Sequence, residues 1–249
     1  MKLPALLFVV VCLLNATARS QEQAAPLLPP SPNVPTGEGE YIILCGGVSL
    51  MVWEKYKAQP HDNWWMNFVR ASRLRIQQLQ AANPNVRITL MVYRPSYIAR
   101  AKQEKNDLIG HINSVRDAYR VKLVWFDTTE ELLSYLNGGH PGGQPRSTVK
   151  IEGFEFFGHS NRACWMFDYS SNMDSASKCW LHENDMKKIN RGIFTRNAFI
   201  KSWSCHTGES MNKKFYAATG ARMWAATGKT QYMTDELPVL STKGGRWTR

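Results

Sequence analysis

The sequence predicts a three-layer αβα sandwich, an α/β fold on a mainly parallel five- to six-stranded sheet, and three observations carry that expectation. Short runs of uninterrupted apolar residues recur along the chain, each closed by glycine, proline, asparagine or a polar cluster. Longer stretches between them carry apolar residues at helical spacing. The short runs do not alternate apolar with polar, which is the pattern of strands covered on both faces by helices.

The chain has 249 residues, 43% of them hydrophobic and 20% charged, an ordinary globular composition large enough for a sizeable core. Lys2 is followed by the apolar run LPALLFVVVCLL and then by small residues, with Ala16-Thr17-Ala18 or Ala18-Arg19-Ser20 as a cleavage site. Residues 1–20 therefore read as a signal peptide, and the expected location is secreted or periplasmic. No later run is apolar for long enough to cross a bilayer, so no stable membrane insertion is expected after cleavage. Residues 21–40 hold five of the 12 prolines and no apolar periodicity, and read as a disordered Pro-rich linker. A single α/β domain is expected over 41–249.

YIILCGG (41–47) is the first strand, entering a tight turn at its two glycines. Trp65, Phe68, Val69, Ile76 and Leu79 share one face of a helix within 64–82, stopped by Asn83-Pro84-Asn85. VRITLMVY (86–93) is the second strand, ended by Arg94-Pro95. Leu108, Ile112, Val115 and Tyr119 repeat at amphipathic helical spacing. VKLVWF (121–126) is the third strand, and Asp127-Thr128-Thr129 caps a helix through Leu136. The Gly- and Pro-rich stretch after it is an exposed loop. VKIEGFEFFGHS (149–160) is the fourth strand. Residues 161–197 read as irregular, with a short helix near Glu183–Asn190. Phe199–Ser204 is the fifth strand, Glu209–Thr219 a helix, and ARMWAATGKT (221–230) the sixth strand. The tail has no strong pattern, and the chain has no internal repeat.

The net charge is +11, but lysine and arginine are scattered with no run longer than two. That is a solvated surface, and no nucleic-acid partner is expected. Cys45, Cys164, Cys179 and Cys205 remain after signal removal. In an exported chain an even count points first to disulfides. Cys164 and Cys179 flank one loop-like segment and are the expected pair, while a Cys45–Cys205 bridge is the alternative to a free Cys205. No cysteine and histidine pair has metal-ligand spacing, so no metal or cofactor is expected.

Two strand ends carry the chemistry. AFIKSWSCHTGESM (198–211) climbs through an apolar run to Cys205, turns at His206-Thr207-Gly208, and then opens a helix. This places a thiol at the carboxyl edge of the sheet, where α/β folds bind ligands. A helix N-terminus behind it favours the thiolate or an oxyanion. FEFFGHSN (154–161) repeats that logic and ends on His159. If the two strands are neighbours, His159 can take the Cys205 proton and later protonate a leaving amine.

These two blocks resemble the caspase-like cysteine peptidases, the group that includes caspases, legumains, gingipains and CHAT-domain proteins. In that family one apolar strand precedes a His-Gly pair, and a second precedes a small residue and the catalytic Cys, soon followed by Gly. FEFFGHS and IKSWSCHTGES match those blocks, the second being most similar to the legumain version. The resemblance implies a caspase-like fold, Cys205 as nucleophile and His159 as general base and acid. It also implies an oxyanion hole made by the backbone N–H groups of Ser160 and Cys205, and a peptide or protein substrate. Asn161, Arg162, Lys201, Trp203 and the tail residues Arg246 and Trp247 are the substrate-binding candidates it suggests, with an acidic side chain preferred. The chain departs from the family in having Ser160 where a glycine follows the histidine, and in having the histidine strand fourth rather than third.

Other readings remain beside it. Gly158-His159-Ser160-Asn161-Arg162 is similar to an α/β-hydrolase nucleophile elbow with Ser160 attacking and Asp235 or His206 as partners, although Arg162 is bulky for its position. A non-catalytic α/β binding domain, or a degenerate peptidase-like one, would make Cys205 structural. A tyrosine-phosphatase loop is excluded by Met211, where it needs arginine, and a P-loop by Met223, where it needs glycine.

Overall fold

The computed structural model describes residues 34–56, 62–139, 143–169 and 178–249. The chain opens with β1 (Glu40–Cys45), the one-turn helix α1 (Met51–Glu54) and α2 (Asn67–Ala82). Next come β2 (Ile88–Tyr93), α3 (Arg94–Glu104) and α4 (Leu108–Tyr119). β3 (Lys122–Phe126), α5 (Thr129–Gly138) and β4 (Ile151–Phe157) follow. An antiparallel excursion holds β5 (His159–Ser160), β6 (Cys164–Met166), β7 (Trp180–His182) and a 3-10 helix (Glu183–Lys188). β8 (Phe194–Ser202) returns to the sheet and leads to α6 (Met211–Thr219). Four short strands close the chain: β9 (Ala225–Thr227), β10 (Thr230–Gln231), β11 (Val239–Leu240) and β12 (Arg246–Thr248).

The central sheet has five strands in the order β3-β2-β1-β4-β8, and every pairing in it is parallel. With helices flanking it, this is the expected three-layer α/β architecture. Burial alternates along each strand. Ile42 and Leu44 pack into one layer with α5 and α6, while Tyr41, Ile43 and Cys45 pack into the other with α2 and α4. Both layers are dry at the strands, which is why the sequence runs are apolar without alternation. Strand order reverses between β1 and β4, so the crevice for a ligand lies at the carboxyl ends of those strands and their neighbours.

Several expectations need correction. Residues 34–40 are part of the domain rather than linker. The Thr36 amide donates to Glu152 Oε2 at 3.0 Å, and Asn83 Nδ2 donates to the Pro35 carbonyl at 2.8 Å. The signal segment 1–20 and linker residues 21–33 lie outside the described residues. Arg94-Pro95 ends the second strand as expected and at once starts α3. Proline fits the first helical turn because no partner awaits its missing N–H there. β8 begins at Phe194 and absorbs part of the stretch read as irregular.

The expected sixth strand contracts to Ala225–Thr227, which pairs antiparallel with Arg246–Thr248 of the tail. It touches the main sheet through one bridge, Lys201 to Trp224. The helix after Cys205 starts at Met211, not Glu209, because residues 205–210 are spent on turns. Among the described residues no helix is long and apolar enough to cross a membrane.

Cys164 and Cys179 do not form the expected bridge. In the β6–β7 ladder Cys164 faces His182, whereas the Cys179 carbonyl accepts the amide of Phe167, three positions further along. At about 3.3 Å per residue that separation exceeds what a disulfide spans, and Cys164 is a free thiol. Cys45 and Cys205 are free as well.

Candidate active site

β4 and β8 are neighbours, with Phe156 registered against Ser202. His159 and Cys205 each stand three residues beyond that pair in sequence, so both follow the carboxyl ends of adjacent strands. The Trp203 amide donates to the Phe156 carbonyl at 2.9 Å, carrying the strand pairing right up to the site. Ser160 then ties the two strand ends together, because its hydroxyl donates to the Cys205 carbonyl.

His159 is mostly buried. The edge of Phe68 meets its ring at 4.9 Å between centroids, and Tyr169 packs on it at 4.6 Å. Its Nε2 hydrogen-bonds the Asp62 carboxylate, which is only 2% exposed. Asp62 Oδ2 also accepts the Ser49 amide at 2.9 Å, and Oδ1 accepts Asn67 Nδ2 at 3.3 Å. A carboxylate on Nε2 keeps the proton there in the neutral ring and leaves the lone pair on Nδ1. Sequence reasoning missed Asp62. It sits in a polar loop before α2 with no local pattern to mark it, and only the tertiary fold brings it beneath β4.

Cys205 is half-buried. Its Sγ accepts the Thr230 amide at 3.4 Å and lies 3.7 Å from both Thr230 oxygens. Burial pushes the Cys45 thiol up to about 12 and raises those of Cys164 and Cys179 as well, which keeps those three as inert thiols. Burial raises the Tyr169 hydroxyl, and the nearby carboxylates of Asp62 and Glu54 raise it further.

The segment 228–232 braces both strand ends. The Gly228 carbonyl accepts the His206 amide at 2.7 Å, Thr230 holds Cys205, and Tyr232 Oη accepts the Gly158 amide at 2.9 Å. His206 adopts φ +62°, a left-handed conformation that lets the chain turn sharply after Cys205. Its Nδ1 bonds Glu209 Oε1 at 2.6 Å, which lowers the Glu209 carboxyl, and Gly228 N–H donates to the same oxygen at 3.1 Å. Gly208 has no room for a side chain: a Cβ there would lie 2.6 Å from Thr248 Oγ1 and 2.7 Å from the Ala225 carbonyl.

Around the β5–β6 turn the Asn161 amide donates to the Cys164 carbonyl at 3.1 Å. Antiparallel ladders alternate, so Ser160 opposite Trp165 is a non-hydrogen-bonded pair whose N–H points away from β6. Asn161 and Arg162 stay exposed at this turn, and Asn161 Oδ1 accepts the amides of Ala163 and Cys164 at 2.8 Å.

The structure places the substrate-binding candidates Lys201 and Trp203 away from the surface. Both face the interior, where Lys201 is 1% exposed with Nζ 3.3 Å from the Trp203 ring centre and 3.8 Å from that of Trp247. Trp203 Nε1 donates to the buried Glu155 at 2.5 Å. Trp247 is thereby a packing residue too. The nucleophile-elbow reading of Ser160 also fails geometrically, since an antiparallel hairpin follows Ser160 where an elbow needs a helix. No group of three metal-ligating side chains occurs among the described residues.

No protein-family model matches the chain, and no curated protein or solved structure matches it either.

Proposed function

We propose that this chain is a cysteine peptidase of the caspase-like type, cleaving peptide bonds through Cys205, His159 and Asp62. The observation that carries the reading is that His159 and Cys205 follow the carboxyl ends of adjacent parallel strands tied together by Ser160, with a buried carboxylate on one nitrogen of the imidazole. In this reading the Cys205 thiol passes its proton to Nδ1 of His159 and its sulfur attacks the carbonyl carbon of the scissile bond. The imidazolium, steadied by Asp62, returns that proton to the departing amine. A thioester to Cys205 remains. Water then adds to it with His159 as base, releasing the carboxylic acid and restoring the thiol. The Ser160 N–H, directed away from β6, is placed to receive the developing oxyanion with that of Cys205.

Arg162 is the basic candidate that stays exposed at this edge, and it favours an acidic substrate side chain. The signal-like start supports export, with a peptide or protein as partner. The test is hydrolysis of a fluorogenic peptide library by the mature protein. Wild-type protein should cleave, and Cys205→Ala and His159→Ala should each abolish cleavage. Undiminished cleavage by Cys205→Ala would refute the reading, as would a wild-type protein with no turnover on any peptide.

One observation favours a second, non-catalytic reading: Sγ rests on the Thr230 amide rather than on the imidazole. In unliganded sites catalytic hydrogen bonds are commonly long and tighten only with substrate, so the peptidase reading is the stronger.

A further inference from the structure

Behind Asp62 lies a set of hydrogen bonds that the chemistry above does not use. Glu54 at the end of α1 is 1% exposed, yet it carries a carboxylate. One of its oxygens accepts the Ser49 hydroxyl, and the other accepts the Asp62 amide at 3.0 Å. Ser49 in turn gives its own amide to Asp62 Oδ2 at 2.9 Å. The three residues form a ring in which each end of the loop before α2 is fixed by the other. Arg100 of α3, fully buried, closes the back of that ring. Its Nη1 donates to the carbonyls of Ser49 and Asp62, the latter at 2.9 Å, and its Nη2 donates to the Asn63 carbonyl at 3.0 Å. Nε pairs with Glu104 one turn further along.

Burying a second carboxylate and a guanidinium is costly unless geometry repays it. A merely packed loop would place apolar residues here. The pattern instead fixes the backbone of Asp62 on both sides, through its N–H and its C=O, and so sets the direction its Oδ2 takes. That direction is Nε2 of His159. We propose that Glu54 and Arg100 are positioning residues of the site, acting only through Asp62 to hold His159 in the tautomer whose Nδ1 can accept the thiol proton. The proposal rests on the peptidase reading for its purpose, but its physical content is a statement about one imidazole.

That content is read by nitrogen-15 NMR of the full chain labelled at histidine, comparing Nε2–H with Nδ1–H in the neutral His159 ring. Wild-type protein should show His159 as the Nε2–H form. Glu54→Ala removes the acceptor of the Asp62 amide, and Arg100→Lys cannot reach three carbonyls at once. Each should convert His159 to a mixture of tautomers, and should lower kcat by about ten- to a hundredfold with KM changed less than about twofold. Where either variant fails to fold, Ser49→Ala decides. It removes only the hydroxyl of the ring, keeps the backbone amide on Asp62, and should give a smaller shift of the same sign. Tautomer shifts in a protein that cleaves no peptide would sink the peptidase reading and leave the positioning role standing. A His159 that is Nε2–H in every variant, or Nδ1–H in the wild type, would overturn the positioning role.

Discussion

Asp62 is the residue on which the chemistry of His159 turns. An uncharged amide of the same shape can present its N–H to the imidazole, which forces the proton onto Nδ1 and removes the lone pair that should face the thiol. Asp62→Asn is therefore expected to fold normally and to lose turnover on the order of 10²- to 10⁴-fold. Steady-state kinetics beside a thermal melt checks this, and an unchanged kcat would contradict it. Ser160 is a second single-residue case. The family that the motif resembles has glycine there, but here the hydroxyl holds the Cys205 carbonyl. Ser160→Gly keeps the N–H and deletes the tie, so it should cost about 1–2 kcal/mol of stability, read from denaturant unfolding. A variant as stable as wild type would show that the tie carries nothing.

The elements show how the site is held together. β4 and β8 are pinned together from below by a polar cluster inside the α2 layer. Glu155 receives Arg75 Nε at 2.6 Å, the Trp203 indole at 2.5 Å and the Tyr41 hydroxyl, all of them buried. Gly153 makes this possible, because a Cβ there would sit 2.1 Å from the Tyr41 ring. Removing one partner strands the other charge, so Arg75→Met should destabilise by about 3–5 kcal/mol. Chemical denaturation measures it, and a loss under about 1 kcal/mol would show the pair is not desolvated.

Lys201 on β8 gives a pH dependence of definite sign. Burial brings its amine down to about 7, opposed by Glu155 and reinforced by Arg75, while the faces of Trp203 and Trp247 favour the ammonium. The unfolded lysine titrates near 10.4. Between those values the unfolded chain binds more protons than the folded one, so stability contributed by this residue rises with pH. Below about pH 7 the full cost of the buried charge is present. Lys201→Met should therefore raise the melting temperature at pH 6 more than at pH 9. An equal gain at both would show the amine keeps its proton throughout.

At the scale of the whole molecule, the sheet was legible because its strands are covered on both faces. Ile42, Ile43 and Leu44 are all fully buried, and such runs can be read without knowing the fold. His159 and Cys205 were legible for the same reason: each is a polar residue just beyond an apolar strand, and those two strands are neighbours in the sheet. What stayed hidden depends on contacts between distant segments. Asp62 reaches His159 across 97 positions of chain. β12 has no pattern of its own and exists by pairing with β9. Lys201 and Trp203 were named by the resemblance alone, and the packing that covers both faces of β8 buries them together with Ile200 and Ser202.

The central claim is that one of the four cysteines among the described residues has been set apart for chemistry, and iodoacetamide at neutral pH with peptide mapping tests it most directly. Cys164 is the internal reference, since both thiols are half-buried and free. The expected result is alkylation of Cys205 well before Cys164, slowed at least about tenfold by His159→Ala. A Cys205 that reacts no faster than Cys164, or whose rate ignores His159, would contradict the account.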